Sequence, residues 1–225
     1  MTRLRSRYLG ACLLGVLSIL PSLACRGRGS TYAQEHRDST LTSPEGTSDT
    51  LHLVFAGDIM THGPQIRAAL RGDGQYDFRP SFSLVKPLIA GADLAVGNLE
   101  TTFGGKPYSG YPMFSSPEAF GEALRDAGFD VLTTANNHSC DRGRYGVVHT
   151  IDVLDSLGIA TTGSYRTREE RTSRTPLLVT VKGVKLAILA YTYGTNGLPI
   201  PHPALVDTIS REQIARDLQL ADSLG

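Results

Sequence analysis

Val131-Leu132-Thr133-Thr134-Ala135-Asn136-Asn137-His138 is the stretch that decides the fold. A β-prone apolar run ends in two amides and an imidazole, so ligand-bearing side chains stand at the carboxyl end of a strand. Open α/β sheets place their sites at that edge. Two earlier stretches are built the same way: Val54-Phe55-Ala56-Gly57-Asp58 and Leu94-Ala95-Val96-Gly97-Asn98-Leu99-Glu100. Three strand ends thus deliver Asp, Asn/Glu and Asn/His, which by donor type is half of a metal site.

Outward from these runs, strand and helix patterns alternate. Apolar runs predict strands over 51–56, 93–97, 131–135 and 159–161. Helical spacing predicts helices over 65–70, 82–90 (interrupted at Pro87), 117–127, 146–157 and 210–224, the last capped by Ser210. Residues 177–181 and 184–191 form a hairpin through Lys182-Gly183. The alternation argues for an α/β fold with a mainly parallel sheet and helices on its faces. The chain stops at Gly225, where the next strand of the alternation would begin, so the domain is expected to be truncated at its C-terminus.

A chain of 225 residues, 40% of them hydrophobic, is long enough for one domain with a real core plus appendages. Arg3, Arg5 and Arg7 precede a short apolar stretch over 9–20, too short for a membrane span of ~20 residues. Pro21-Ser22-Leu23-Ala24-Cys25 follows and resembles a bacterial lipobox, with Ser22 where Leu is usual. Three readings stand: residues 1–24 are a signal peptide removed before a lipidated Cys25, an ordinary signal peptide cut near Ala24, or an uncleaved anchor. Residues 25–50, rich in Ser, Thr, Gly and charge, read as a flexible linker to a domain over 51–225. This predicts a membrane-anchored lipoprotein of the cell envelope, facing outside the cytoplasm. Cys140 then has no partner for a disulfide. Beyond the leader the chain carries 19 basic against 22 acidic residues and no Trp. A nucleic-acid partner would need a basic face, so none is expected.

Each candidate is weighed against a plainer role. Asp58, after a strand and a glycine, is an oxygen ligand for a hard cation or the cap of a loop. Asn98 and Glu100 are metal ligands or turn residues. Asn137 offers an amide oxygen. His138 offers an imidazole to a metal or a proton to a leaving group, and it sits among Asn136, Ser139, Cys140 and Asp141. Cys140 reads as a bystander. His62, four residues after Asp58, completes the set or binds substrate. Tyr193 and Asn196, in Tyr191-Thr192-Tyr193-Gly194-Thr195-Asn196-Gly197, line the same pocket or form a plain connection.

Gly57-Asp58-Ile59-Met60, Gly97-Asn98-Leu99-Glu100 and Asn136-Asn137-His138, in this order and together with the Tyr191–Gly197 loop, resemble the bacterial capsule-synthesis CapA family (the poly-γ-glutamate synthesis domain), which is related to the calcineurin-like metallophosphoesterases. The resemblance implies a four-layer α/β sandwich with Asp58, Glu100, Asn137 and His138 around a divalent ion (Mn, Zn, Fe or Mg). It implies work on an anionic surface polymer, beside a membrane synthase, by metal-assisted hydrolysis or transfer. The alternative is a non-catalytic accessory or scaffold. Met60 stands where the metallophosphoesterases carry His, and the family's later His motifs do not occur in these 225 residues.

Overall fold

The computed structural model describes residues 50–225. The expected signal peptide, the expected lipidation site at Cys25 and all of the expected linker but Thr50 fall outside the described residues. Four parallel strands pair in chain order: β1 (Leu53–Ile59), β2 (Leu94–Leu99), β3 (Val131–Thr133) and β4 (Ala160–Thr162). Parallel neighbours in this order bring all carboxyl ends to one edge. The helices that return the chain are α1 (Gly63–Ala69), α2 (Arg79–Phe82), α3 (Lys86–Ala90), α4 (Ala119–Ala127) and α5 (Gly143–Ser156).

Every residue of β2 is buried, because both faces of the sheet are covered. Ala95, Leu99 and Leu132 point into a core with Phe103, Phe120, Leu124, Phe129 and Leu154, mostly from the helices and their flanking loops. Leu94, Val96 and Val131 point the other way, onto Leu186 and its neighbours. That second cover is the hairpin β6 (Leu177–Val181) and β7 (Val184–Ile188), antiparallel through Lys182-Gly183. The hairpin is a sheet of its own laid on the parallel one. Helices, sheet and hairpin therefore stack as successive layers of an α/β fold.

Some details differ from the sequence pattern. The break expected at Pro87 falls at 83–85, and Pro87 sits in the first turn of α3, where a missing N–H costs nothing. Residues 162–176, given no element by periodicity, hold β5 (Ser164–Tyr165) and α6 (Arg168–Arg174). Thr167 caps α6 by accepting the Glu170 N–H, the Thr-x-x-Glu signature of a helix start. Strand β8 (Leu205–Val206) pairs antiparallel with β5, and α7 (Arg211–Ser223) starts under its Ser210 cap.

Arg171 fastens this last part. Its Nε lies 2.6 Å from Asp207 Oδ1 and a terminal nitrogen lies 2.6 Å from Asp217 Oδ2. Tyr191 and Gln213 also donate to the Asp217 carboxylate, at 2.7 and 2.8 Å. Breaking a buried pair strands its charges, at a cost of about 3–5 kcal/mol. Arg171→Ala is expected to lose that much in urea denaturation; a loss under 1 kcal/mol would show that the two carboxylates do not depend on it.

Candidate functional site

The first strand is bent to present its aspartate. The β1–β2 register runs regularly to Ala56↔Gly97 and resumes at Ile59↔Leu99, so residues 57–58 bulge from the ladder. Asp58 takes φ 50°, a left-handed conformation that Asp tolerates better than most residues. A bulge at a strand end re-aims a side chain, and here it turns the Asp58 carboxylate toward β2. Gly97 makes the return of the strand possible: a Cβ there would stand 2.4 Å from the Ile59 side chain.

The next residues form one polar net. Asn98 Nδ2 lies 3.4 Å from both Asp58 Oδ1 and Glu100 Oε2, so one amide stands between two carboxylates. Asn136 Nδ2 donates to the Leu99 carbonyl at 2.7 Å and to Asn98 Oδ1 at 3.2 Å, and its Oδ1 accepts the His138 N–H at 3.0 Å. Burial, and then the facing Asp58, push the Glu100 carboxyl up to about 7; a hydrogen bond from Asn137 works the other way.

His138 is fixed from three sides. Its Nδ1 lies 2.8 Å from Asp141 Oδ2, and the same oxygen accepts the Phe114 N–H at 2.6 Å. The Phe114 ring meets His138 edge-on at 4.6 Å and His62 edge-on at 5.1 Å. With its Nδ1 proton directed at a carboxylate, the imidazole keeps Nε2 for a ligand. Asn196, also left-handed at φ 52°, brings its Nδ2 to 3.5 Å from that Nε2. Burial raises the Asp141 carboxyl, opposed by the Phe114 N–H and by His138. Asp141 Oδ1 is buried with no hydrogen-bond partner among the described residues.

The structure therefore gathers Asp58, Asn98, Glu100 and Asn137 into one group and places His138 with Asn196. His62 is exposed and touches the site through Phe114. Tyr193 is 69% exposed and stands in solvent. Cys140 is buried, its thiol pushed up to about 11 by burial, so it is no nucleophile near neutral pH. Sequence reasoning gave no role to Phe114, passed over Asn136 in favour of Asn137, and saw Asp141 only as a neighbour. The spacing of His138 and Asp141, three apart, was the readable signal for their pairing.

Residues 52–221 match the family model described as "Bacterial capsule synthesis protein PGA_cap". The chain belongs to this capsule-synthesis family. Two uncharacterized proteins of Sinorhizobium fredii (strain NBRC 101917 / NGR234), y4uA and y4sH, are each 32% identical to it over 173 residues, covering 73% of this chain and 35% of theirs. The capsule biosynthesis protein CapA of Bacillus anthracis is 26% identical over 184 residues, 79% of this chain and 43% of its own. The chain thus spans between a third and a half of the length of these relatives. The PGA_cap match covers all three strand ends that carry the site.

Two outcomes test this geometry. The folded Glu100 holds a proton, up to about pH 7, that an ordinary carboxyl releases near 4.5. Its contribution therefore favours the fold at low pH and is lost as pH rises through that window, by up to about 3 kcal/mol. In metal-free protein, Glu100→Gln should flatten this part of the stability–pH curve; an unchanged curve would show that Glu100 titrates normally. Asn136→Asp removes both donors of the amide and adds a negative charge, and should cost about 2–4 kcal/mol in urea denaturation; a neutral result would mean the net does not depend on it.

Proposed function

We propose that this PGA_cap chain works at the cell envelope on an anionic surface polymer of the poly-γ-glutamate kind, as a metal-dependent hydrolase or transferase. The observation that carries this reading is a pair of carboxylates, Asp58 and Glu100, held against each other by an amide at the sheet edge that also presents His138. Two facing carboxylates repel an anionic substrate and each other, and Asp58 adds to the burial that already raises Glu100. A divalent cation would relieve both.

The donors fit a hard cation. Carboxylate and amide oxygens suit Mg or Mn, and an imidazole suits Zn, Mn or Fe. Asp58 and Glu100 would hold the ion, with Asn137 and the Nε2 of His138 available to it. Asn98 serves as the clamp between the carboxylates, since its own oxygen is taken by Asn136. A bound ion supplies Lewis acidity toward a phosphoryl or acyl oxygen. His138, oriented by Asp141 and Phe114, holds a proton at Nδ1 and offers Nε2 as ligand or, when protonated, as acid toward a leaving group. Asn196 orients substrate at the same nitrogen, and exposed His62 binds it at the mouth. Cys25 anchors the domain to a membrane through lipid, on the outer side.

A second reading is a non-catalytic accessory that binds the polymer or a membrane synthase. It is favoured by Met60 in the metallophosphoesterase His position, and because no three His, Cys, Asp or Glu side chains gather as a cage among the described residues.

Calorimetric titration of the purified chain with Mn, Zn and Mg separates the two. Under the enzyme reading, binding weakens at least tenfold in Asp58→Asn and Glu100→Gln. Hydrolysis of phosphoester or γ-glutamyl substrates then falls at least 100-fold in His138→Ala. No ion bound, with polymer output in cells unchanged by all three substitutions, leaves the accessory reading in place.

A further inference from the structure

The outer side of α2–α3 is apolar where a surface helix is usually polar. Phe82 and Ile89 turn inward to the core. Leu84, in the turn between α2 and α3, and Leu88, on α3, are 91% and 70% exposed, and Val85 beside them is 43% exposed. Single exposed leucines are ordinary. Two so close together, beside a half-exposed valine, make an apolar ridge.

The ridge lies at the end of the domain opposite the polar net. Helix α3 runs straight into β2, whose start is tied to β1 by the Asp93 N–H to the His52 carbonyl at 2.8 Å. Lys86, inside the ridge, pairs with Asp126 at the end of α4, just before β3 begins. Lys182, at the hairpin turn, reaches Asp93 at 2.8 Å and the Thr50 carbonyl at 3.4 Å. The starts of the strands, the ridge and Thr50 therefore share one end. Strand β2 alone, with six residues, sets the polar net about 20 Å away.

Thr50 is where the chain leads back to the apolar stretch over 9–20 and to Cys25, and 24 residues lie between Cys25 and Thr50. The Ser-, Thr- and Gly-rich composition expected to act as a linker gives a segment of that length a root-mean-square reach of roughly 25–30 Å. A domain tethered so closely meets its own membrane at an effective concentration on the order of millimolar. A small apolar ridge, too weak to recruit a free protein, then suffices to dock it. We infer that Leu84, Val85 and Leu88 form a membrane-contact ridge that seats the domain on a lipid surface, with the Asp58–Glu100–His138 edge turned away from the bilayer. This rests on the lipid-anchor reading given above.

The chain contains no Trp, so one introduced indole is an unambiguous reporter. Full-length lipoprotein carrying Leu88→Trp is reconstituted into phosphatidylcholine–phosphatidylglycerol vesicles with brominated acyl chains, beside Tyr193→Trp at the opposite end. Flotation of the vesicles reports the anchor independently. The expected result is flotation of both variants, at least twofold quenching of the indole at 88 and none at 193. Flotation with an unquenched indole at 88 overturns the ridge and leaves the anchor standing; if that indole is blue-shifted, the face belongs to a protein, a second copy included. Quenching at both positions also overturns the stated orientation. No flotation removes the anchor and the seated domain together.

Discussion

One amide, that of Asn136, holds the candidate site in register. It spans two neighbouring strand ends, donating to the Leu99 carbonyl and to Asn98 while taking the backbone N–H of His138. A parallel ladder leaves carbonyls and amides unanswered where its strands stop, and buried groups of that kind need partners. Asn136 meets this need with a side chain of the right length. The same bonds set where Asn98 and His138 point. Asp58 joins the group only because β1 bulges out of its pairing one residue before it would otherwise end.

The charge balance separates this edge from the rest of the domain. Around Arg171, two buried carboxylates are answered by a guanidinium, a phenol and an amide. At the sheet edge, Asp58 and Glu100 are answered by the neutral amides of Asn98 and Asn137. The first arrangement is closed and holds secondary structure together. The second leaves negative charge uncompensated, which is a poor way to stabilise a fold and a good way to attract a cation. The PGA_cap family membership places this second arrangement in a capsule-synthesis domain, and the chemistry proposed for it follows from that imbalance.

The strand ends were legible because each is a local pattern: an apolar run, a glycine where the backbone must approach closely, then a polar side chain. The helices α4, α5 and α7 were legible by their spacing and caps. What could not be read depends on distant pairings. Phe114 lies 27 residues from Asp141 in sequence and meets it only in the folded loop. Asn136 was passed over beside Asn137 because alternation alone does not say that both amides of the pair serve the same edge. The break between α2 and α3 was misplaced because Pro87 reads as an interruption but serves as a helix start. Strands β5 and β8 have two residues each, too few for any periodicity to register.

A single oxygen, Asp141 Oδ2, takes both the imidazole proton and the Phe114 N–H. The segment leading to Phe114 is pinned further back, by Ser109 and Ser115 bonding to each other's backbone and by Arg142 on the Pro107 carbonyl. Its tip, Gly110–Pro112, is framed by those pins, and Gly110 leaves no room for a side chain against His62. The loop is therefore free to change chemistry at the exposed Tyr111 but not at Gly110. A side chain at position 110 would press on the His62 backbone and disturb the loop that holds Phe114 on the shared oxygen, so a changed ligand preference at this edge has to come through Tyr111 rather than through its glycine neighbour.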